Sequence, residues 1–315
     1  MIHKILYFLF SLIALSLVSC QVSLPQLPVI NAPATALPEL VEETIATVAP
    51  EVKPQGTLAY QPTATLTAVS LADRTDACWK SAGEMMPYEI EDETLPVPMT
   101  LRVYLPPCYD QVRKPGYPVI YLLHGQTYND DQWDRLGIDA AADRLISDEG
   151  RAPFLIVMPA EKNYYQDLLE SSFDNQLIDI LIPWVDSTFN TCTERSCRAL
   201  GGLSRGAVWA LRIGFIEWET FGSIGLHSLP GGYTNLAYWL REIPISERPR
   251  LYLDTGINDP DINKAANLNE LLNQNSFIHE WHLNTGTHNE AYWEAHVEDY
   301  LRFYIQPWQT QLDNE

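Results

Sequence analysis

The chain has 315 residues, with 41 Asp and Glu against 20 Lys and Arg and a formal net charge of −21. That length allows one large domain or two small ones. The negative charge falls mostly beyond residue 70, would repel phosphate backbones, and argues against nucleic acid as a partner.

The first 20 residues read as an export signal rather than part of a fold. His3 and Lys4 give a weakly basic start, residues 5–18 are apolar, and Leu17-Val18-Ser19-Cys20 closes the run. The run is short for a membrane span and has the shape of a secretory signal. Its ending resembles a bacterial lipobox, in which Cys20 is lipidated and becomes the new N-terminus. The expectation is a lipoprotein anchored to a membrane at the cell surface or in the periplasm. Plain secretion is the alternative.

Residues 21–70 carry Pro25, Pro28, Pro33, Pro38, Pro50, Pro54 and Pro62 among Ala, Thr and Val, with Tyr60 as the one aromatic. Such a composition cannot bury a core, so the segment is expected to be a disordered tether. The folded domain is then 71–315. Apart from Cys20 it holds Cys78, Cys108, Cys192 and Cys197. An even count in an exported chain suggests disulfides. Cys192 and Cys197 are near enough to close a small loop, which leaves Cys78 with Cys108. The spacing is weak for zinc.

Along the domain, Met99–Leu105 alternates like a strand. Residues 118–123 and 154–158 are continuous apolar runs, the pattern of strands buried on both faces. Between them Ile138, Ala141, Ala142, Leu145 and Ile146 keep helical spacing. Residues 177–189 read as a helix in which Pro183 marks a kink or a late start. A short strand at 197–200 enters Gly202-Leu203-Ser204-Arg205-Gly206, and Ala207, Val208, Ala210, Leu211 and Ile213 leave it as a buried helix. Strands near 222–226, 251–253 and 278–283 follow, with helices near 262–273 and 290–304. Strands alternating with helices predict one α/β domain, a mostly parallel central sheet with helices on both faces. Ligands then bind at the carboxyl ends of the strands.

The Gly-x-Ser-x-Gly run fits a nucleophile elbow, a sharp strand-to-helix turn that holds the serine hydroxyl clear of the backbone. A serine hydroxyl needs a base at neutral pH, and in this architecture the partners follow in the order Ser, acid, His. Of the seven histidines, His288 lies in a loop between the last predicted strand and helix, and it is the candidate base. Asp254, Asp259 and Asp261 lie in the loop after the strand at 251–253, with Asp254 at the strand end. Asp259, in the turn-rich part, is preferred to Asp254 as the acid that holds the imidazole tautomer. Backbone N–H groups of Arg205, just after the serine, and of Gln126, after Leu123-His124-Gly125, are the candidate oxyanion donors.

Four blocks together carry a family resemblance: Tyr121-Leu122-Leu123-His124-Gly125 with Trp133, Gly201-Gly202-Leu203-Ser204-Arg205-Gly206, Asp254-Thr255-Gly256-Ile257-Asn258-Asp259, and Gly286-Thr287-His288-Asn289 with Trp293. Over roughly residues 95–305 the chain resembles the esterase D-like family of α/β-hydrolases, which includes feruloyl, acetylxylan and enterochelin esterases, S-formylglutathione hydrolases and mycolyltransferases. The resemblance implies Ser204, Asp259 and His288 as a triad with Gln126 and Arg205 as oxyanion donors. Ala207 departs from the pattern, standing where members often carry a second glycine.

These residues point to a serine carboxylic-ester hydrolase acting on acylated saccharides or small acyl esters. Transfer of the acyl group to a sugar or lipid hydroxyl is an alternative with the same machinery, and an inactive binding protein on the same fold is a second. Trp133 and Trp293 are expected to contact substrate. The sequence holds no metal cluster or phosphate loop, so no cofactor is expected.

Overall fold

The computed structural model describes residues 76–111 and 113–309. The expected signal, Cys20 and the tether lie outside the described residues. Eight strands form one sheet: β1 Glu84–Ile90, β2 Met99–Leu105, β3 Val119–Leu123, β4 Leu155–Pro159, β5 Arg198–Leu203, β6 Ser223–His227, β7 Arg250–Gly256 and β8 Glu280–Asn284. Their order is β1-β2-β4-β3-β5-β6-β7-β8. β1 pairs antiparallel with β2 and β2 with β4, and every later pairing is parallel. This is the α/β-hydrolase arrangement expected from the sequence.

Among the described residues eight α-helices accompany the sheet: α1 Gln132–Arg135, α2 Ile138–Asp143, α3 Phe173–Asn175, α4 Ile182–Thr188, α5 Arg205–Ile216, α6 Leu236–Glu242, α7 Ile262–Gln274 and α8 Glu290–Gln309. β3 and β4 are apolar runs because each face meets a separate layer. Side chains alternate along a strand. Val119, Tyr121 and Leu123 of β3 accordingly enter one core with residues of α4 to α7, whereas Ile120 and Leu122 enter the other with residues of α2 and α8.

Pro183 sits in the first turn of α4, and the preceding residues Gln176–Leu181 form wide π turns that continue α3 into α4. Widened turns are a way for a helix to absorb a missing donor without breaking. Disulfides join Cys78 to Cys108 and Cys192 to Cys197, with Cα atoms 5.2 and 5.8 Å apart. The second closes the loop that leads into β5.

Elements with no counterpart among the sequence expectations include β1 and α6. β1 is an outermost strand whose residues are mostly exposed, with Pro87 within it. Proline is tolerated at a sheet edge, where a backbone donor can be lost, but it masks the strand in the sequence. α6 is short and follows Pro230-Gly231-Gly232, which reads as loop.

Candidate active site

β5 ends at Leu203 and α5 begins at Arg205, leaving Ser204 alone at the turn with φ 52° and ψ −117°. This backbone is costly for a non-glycine residue and occurs where surrounding structure enforces it. Two glycines permit the turn. A Cβ on Gly202 would overlap the backbone of Gly206, and one on Gly206 would overlap the carbonyls of Leu123 and His124. The Ser204 N–H donates to the His227 carbonyl at 2.9 Å, tying the elbow to the end of β6. Ala207 is fully buried.

The loop between β8 and α8 brings His288 over the serine. The Ser204 hydroxyl lies 2.8 Å from His288 Nε2, and His288 Nδ1 lies 2.9 Å from Asp259 Oδ2. Asp259 is buried on the loop after β7, and its Oδ1 accepts the Asp261 N–H at 2.8 Å. Burial pushes the Asp259 carboxyl up, but hydrogen bonds from His288 and the Asp261 amide outweigh it and hold the group below its ordinary value. An ionised Asp259 requires the proton on His288 Nδ1, which leaves Nε2 free to accept from the serine. Asp259, Asp261 and His288 bring three ligand atoms within 4.8 Å of one another. Within it His288 bonds Asp259 through Nδ1 and Ser204 through Nε2.

Asp254, the other acid candidate, is fully buried and committed elsewhere. Its carboxylate takes His227 Nδ1 at 2.7 Å, the Tyr292 hydroxyl at 2.6 Å and the Tyr300 hydroxyl at 3.0 Å. The other ring nitrogen of His227 lies 2.8 Å from the Tyr304 hydroxyl. This apolar-walled network fastens α8 to β6 and β7.

Gly125 and Gln126 follow β3 beside the serine. The Gly125 N–H donates to the side chain of Gln132 at 2.8 Å, and the Gly125 carbonyl closes a turn to the Tyr128 N–H. Gln126 lines an open cleft of about 480 Å³ together with Tyr128, Ser204, His288, Asn289 and Trp293.

Trp133 does not belong to this cleft, which corrects the expected substrate contact. It is 1 % exposed, donates its indole N–H to the Leu123 carbonyl and packs edge-on against His227 and Tyr300. Helix α1 carries the ring into the core shared with residues of α2 and α8. Trp293 borders the cleft and stands edge-on to His288 with ring centres 5.2 Å apart. Its indole N–H donates to the Ser228 hydroxyl, leaving the ring largely buried as a wall behind the imidazole.

The sequence reading passed over Glu161. This residue is buried two positions beyond β4 and pairs with Arg205, the residue after the nucleophile, through two hydrogen bonds of 2.7 and 2.6 Å. A lone acidic residue after a buried strand carries no periodic signal. Only its place at a carboxyl end of the sheet could have singled it out.

Comparisons with known proteins bear on the family and the fold. The family model described as "Putative esterase" matches residues 93–304. An endo-1,4-β-xylanase/feruloyl esterase of Xylanibacter ruminicola is 33 % identical over 205 residues, which cover 61 % of this chain and 27 % of that protein. The chain thus spans about a quarter of that relative's length. A solved ferulic acid esterase superposes with a TM-score of 0.65 at 18 % identity, over 72 % of this chain and 99 % of the other. An S-formylglutathione hydrolase of Staphylococcus aureus gives 0.59 at 16 % identity, over 71 % and 97 %. The family match spans most of the chain and includes all four motif blocks, and the protein belongs to this esterase family of α/β-hydrolases.

Proposed function

We propose that the protein is a serine carboxylic-ester hydrolase working through Ser204, His288 and Asp259. The observation that carries this reading is the unbroken hydrogen-bond chain from the Ser204 hydroxyl through His288 to Asp259, set at the wall of an open cleft. Ser204 Oγ attacks the ester carbonyl while His288 Nε2 takes its proton. The imidazolium is stabilised by Asp259 through Nδ1–H. The backbone amides of Gln126 and Arg205 receive the negative charge on the former carbonyl oxygen, a contribution of about 3 kcal/mol per donor. His288 returns its proton to the departing alcohol. Water then attacks the acyl-serine with His288 as base, releasing the acid and restoring the serine.

The substrate is an ester of a saccharide or a small alcohol, on the strength of the xylanase/feruloyl esterase relative and of the open cleft of about 480 Å³. Cys20 is the site of lipidation, and residues 21–70 are the tether that holds the domain away from the membrane outside the cytoplasm. This rests on the lipobox-like ending of the apolar run and the proline spacing.

The test is a comparison of wild type and Ser204→Ala on p-nitrophenyl acyl esters and on feruloylated and acetylated sugars. Wild type should hydrolyse at least one class, and the variant should lose that activity with an unchanged far-UV circular dichroism spectrum. Equal rates for the two proteins would refute the serine mechanism.

A further inference from the structure

The two proposed oxyanion amides lie on separate elements, yet one short segment touches the residues that carry both. Residues 161–166 leave the end of β4 and cross beside the elbow. The Glu161 N–H donates to His124 Nε2 at 2.8 Å, and His124 Nδ1 lies 2.7 Å from the Gly125 carbonyl. A nitrogen that accepts at Nε2 must carry its proton on Nδ1 when the ring is neutral. Burial lowers the pKa of His124, in keeping with a neutral ring. Nδ1–H therefore donates to the Gly125 carbonyl.

That carbonyl shares a peptide plane with the N–H of Gln126. In a trans peptide the two groups point in opposite directions, so fixing one fixes the other. Glu161, acting through His124, thus aims the first amide. Its side chain addresses the second. The carboxylate grips the Arg205 guanidinium through two bonds, with 4 % and 8 % of the two side chains exposed. Bidentate pairing fixes orientation as well as distance. Arg205 extends the grip by donating to the Gln166 carbonyl at 2.9 Å, and the Gln126 side chain donates to the Tyr164 carbonyl at 3.4 Å.

We propose that Glu161 is a positioning residue for the oxyanion hole, its backbone setting the Gln126 amide through His124 and its carboxylate setting the Arg205 amide. This rests on the serine-hydrolase reading above. The pair also couples the hole to the segment that presents Tyr165, which is 72 % exposed. A substrate leaning on that segment presses on the same residue that aligns both donors.

The test compares the full-length wild type with Glu161→Gln, which removes the charge and keeps the shape. Active protein is counted by fluorophosphonate titration, so that rates refer to folded enzyme. The expected result is a fall in kcat on p-nitrophenyl acetate of about ten- to a hundredfold, the loss from misaimed rather than deleted donors. KM should stay within about threefold, because the ground-state ester does not depend on the hole. Affinity for phenylboronic acid, which forms a tetrahedral adduct on the serine, should fall by the same factor as kcat. If Glu161→Gln fails to fold, Glu161→Asp keeps the charge, shortens its reach and is read in the same way. An unchanged kcat per titrated site, a loss confined to KM, or an unchanged boronate affinity would overturn the proposal. Equal rates for wild type and Ser204→Ala would overturn the parent reading as well, which separates the two failures.

Discussion

His288 and His227 have the same pair of neighbours, a carboxylate on Nδ1 and a hydroxyl on Nε2, and opposite circumstances. His288 with Asp259 and Ser204 faces the cleft, its side chain 21 % exposed. His227 with Asp254 and Tyr304 is sealed, with no exposure on the His227 or Asp254 side chain. A substrate can reach only the first, so the two aspartates should respond differently to the same change. Asp259→Asn should lower kcat by about 10²–10⁴ with a small effect on stability, because the imidazole loses the partner that fixes its tautomer. Asp254→Asn should instead cost about 3–5 kcal/mol of stability, since three buried donors would face a group that cannot satisfy them as the carboxylate does. Steady-state kinetics with urea unfolding on both variants checks this. The reverse pattern would show that the acid was misassigned. The choice of Asp259 was legible in the turn residues around it and in the order Ser, acid, His. The role of Asp254 was not, because its three partners lie 27, 38 and 46 residues away in sequence.

Helix α8 is the element that joins these two histidine networks. Its first turns carry Tyr292 and Trp293, and Tyr300 and Tyr304 lie farther along the same side. The Tyr304 hydroxyl lies over Gly201 of β5 and Gly225 of β6, where a Cβ on either residue would overlap it. Gly225→Ala should push Tyr304 off His227 and destabilise the domain by about 1–3 kcal/mol through overpacking. Thermal denaturation reads the loss, and a variant as stable as wild type would contradict the tight seat. Gly201 and Gly225 looked like ordinary strand glycines in the sequence, because the ring that requires them arrives from some 80–100 residues downstream. The strands themselves were legible. β3 and β4 are unbroken apolar runs because both faces are covered, whereas β1, exposed and interrupted by Pro87, gave no such signal. The indole of Trp133 was misread for a related reason: a motif gives an aromatic residue's position along the chain but not which side of the sheet its ring enters.

At the scale of the whole molecule, the two disulfides close loops of different length. Cys78 and Cys108 are 30 residues apart and Cys192 and Cys197 are 5 apart. Loop-closure entropy then makes the first worth about 3–4 kcal/mol and the second about 2. Replacing each pair by serine and comparing urea midpoints should reproduce that order, and a larger loss for the short loop would show that strain or packing dominates.

The position of α8 in the chain order has a consequence for biosynthesis. The ribosome delivers Ser204 long before its neighbour His288, and before Tyr292, Tyr300 and Tyr304. While the chain is incomplete, the carboxylate of Asp254 lacks its tyrosine donors and the glycine seat on β5 and β6 stands open. The same stretch that finishes the core also brings His288 to its bond with Ser204. On the serine-hydrolase reading proposed above, hydrolytic competence is acquired in the step that closes the fold, and a nascent or stalled chain carries Ser204 with no base to activate it.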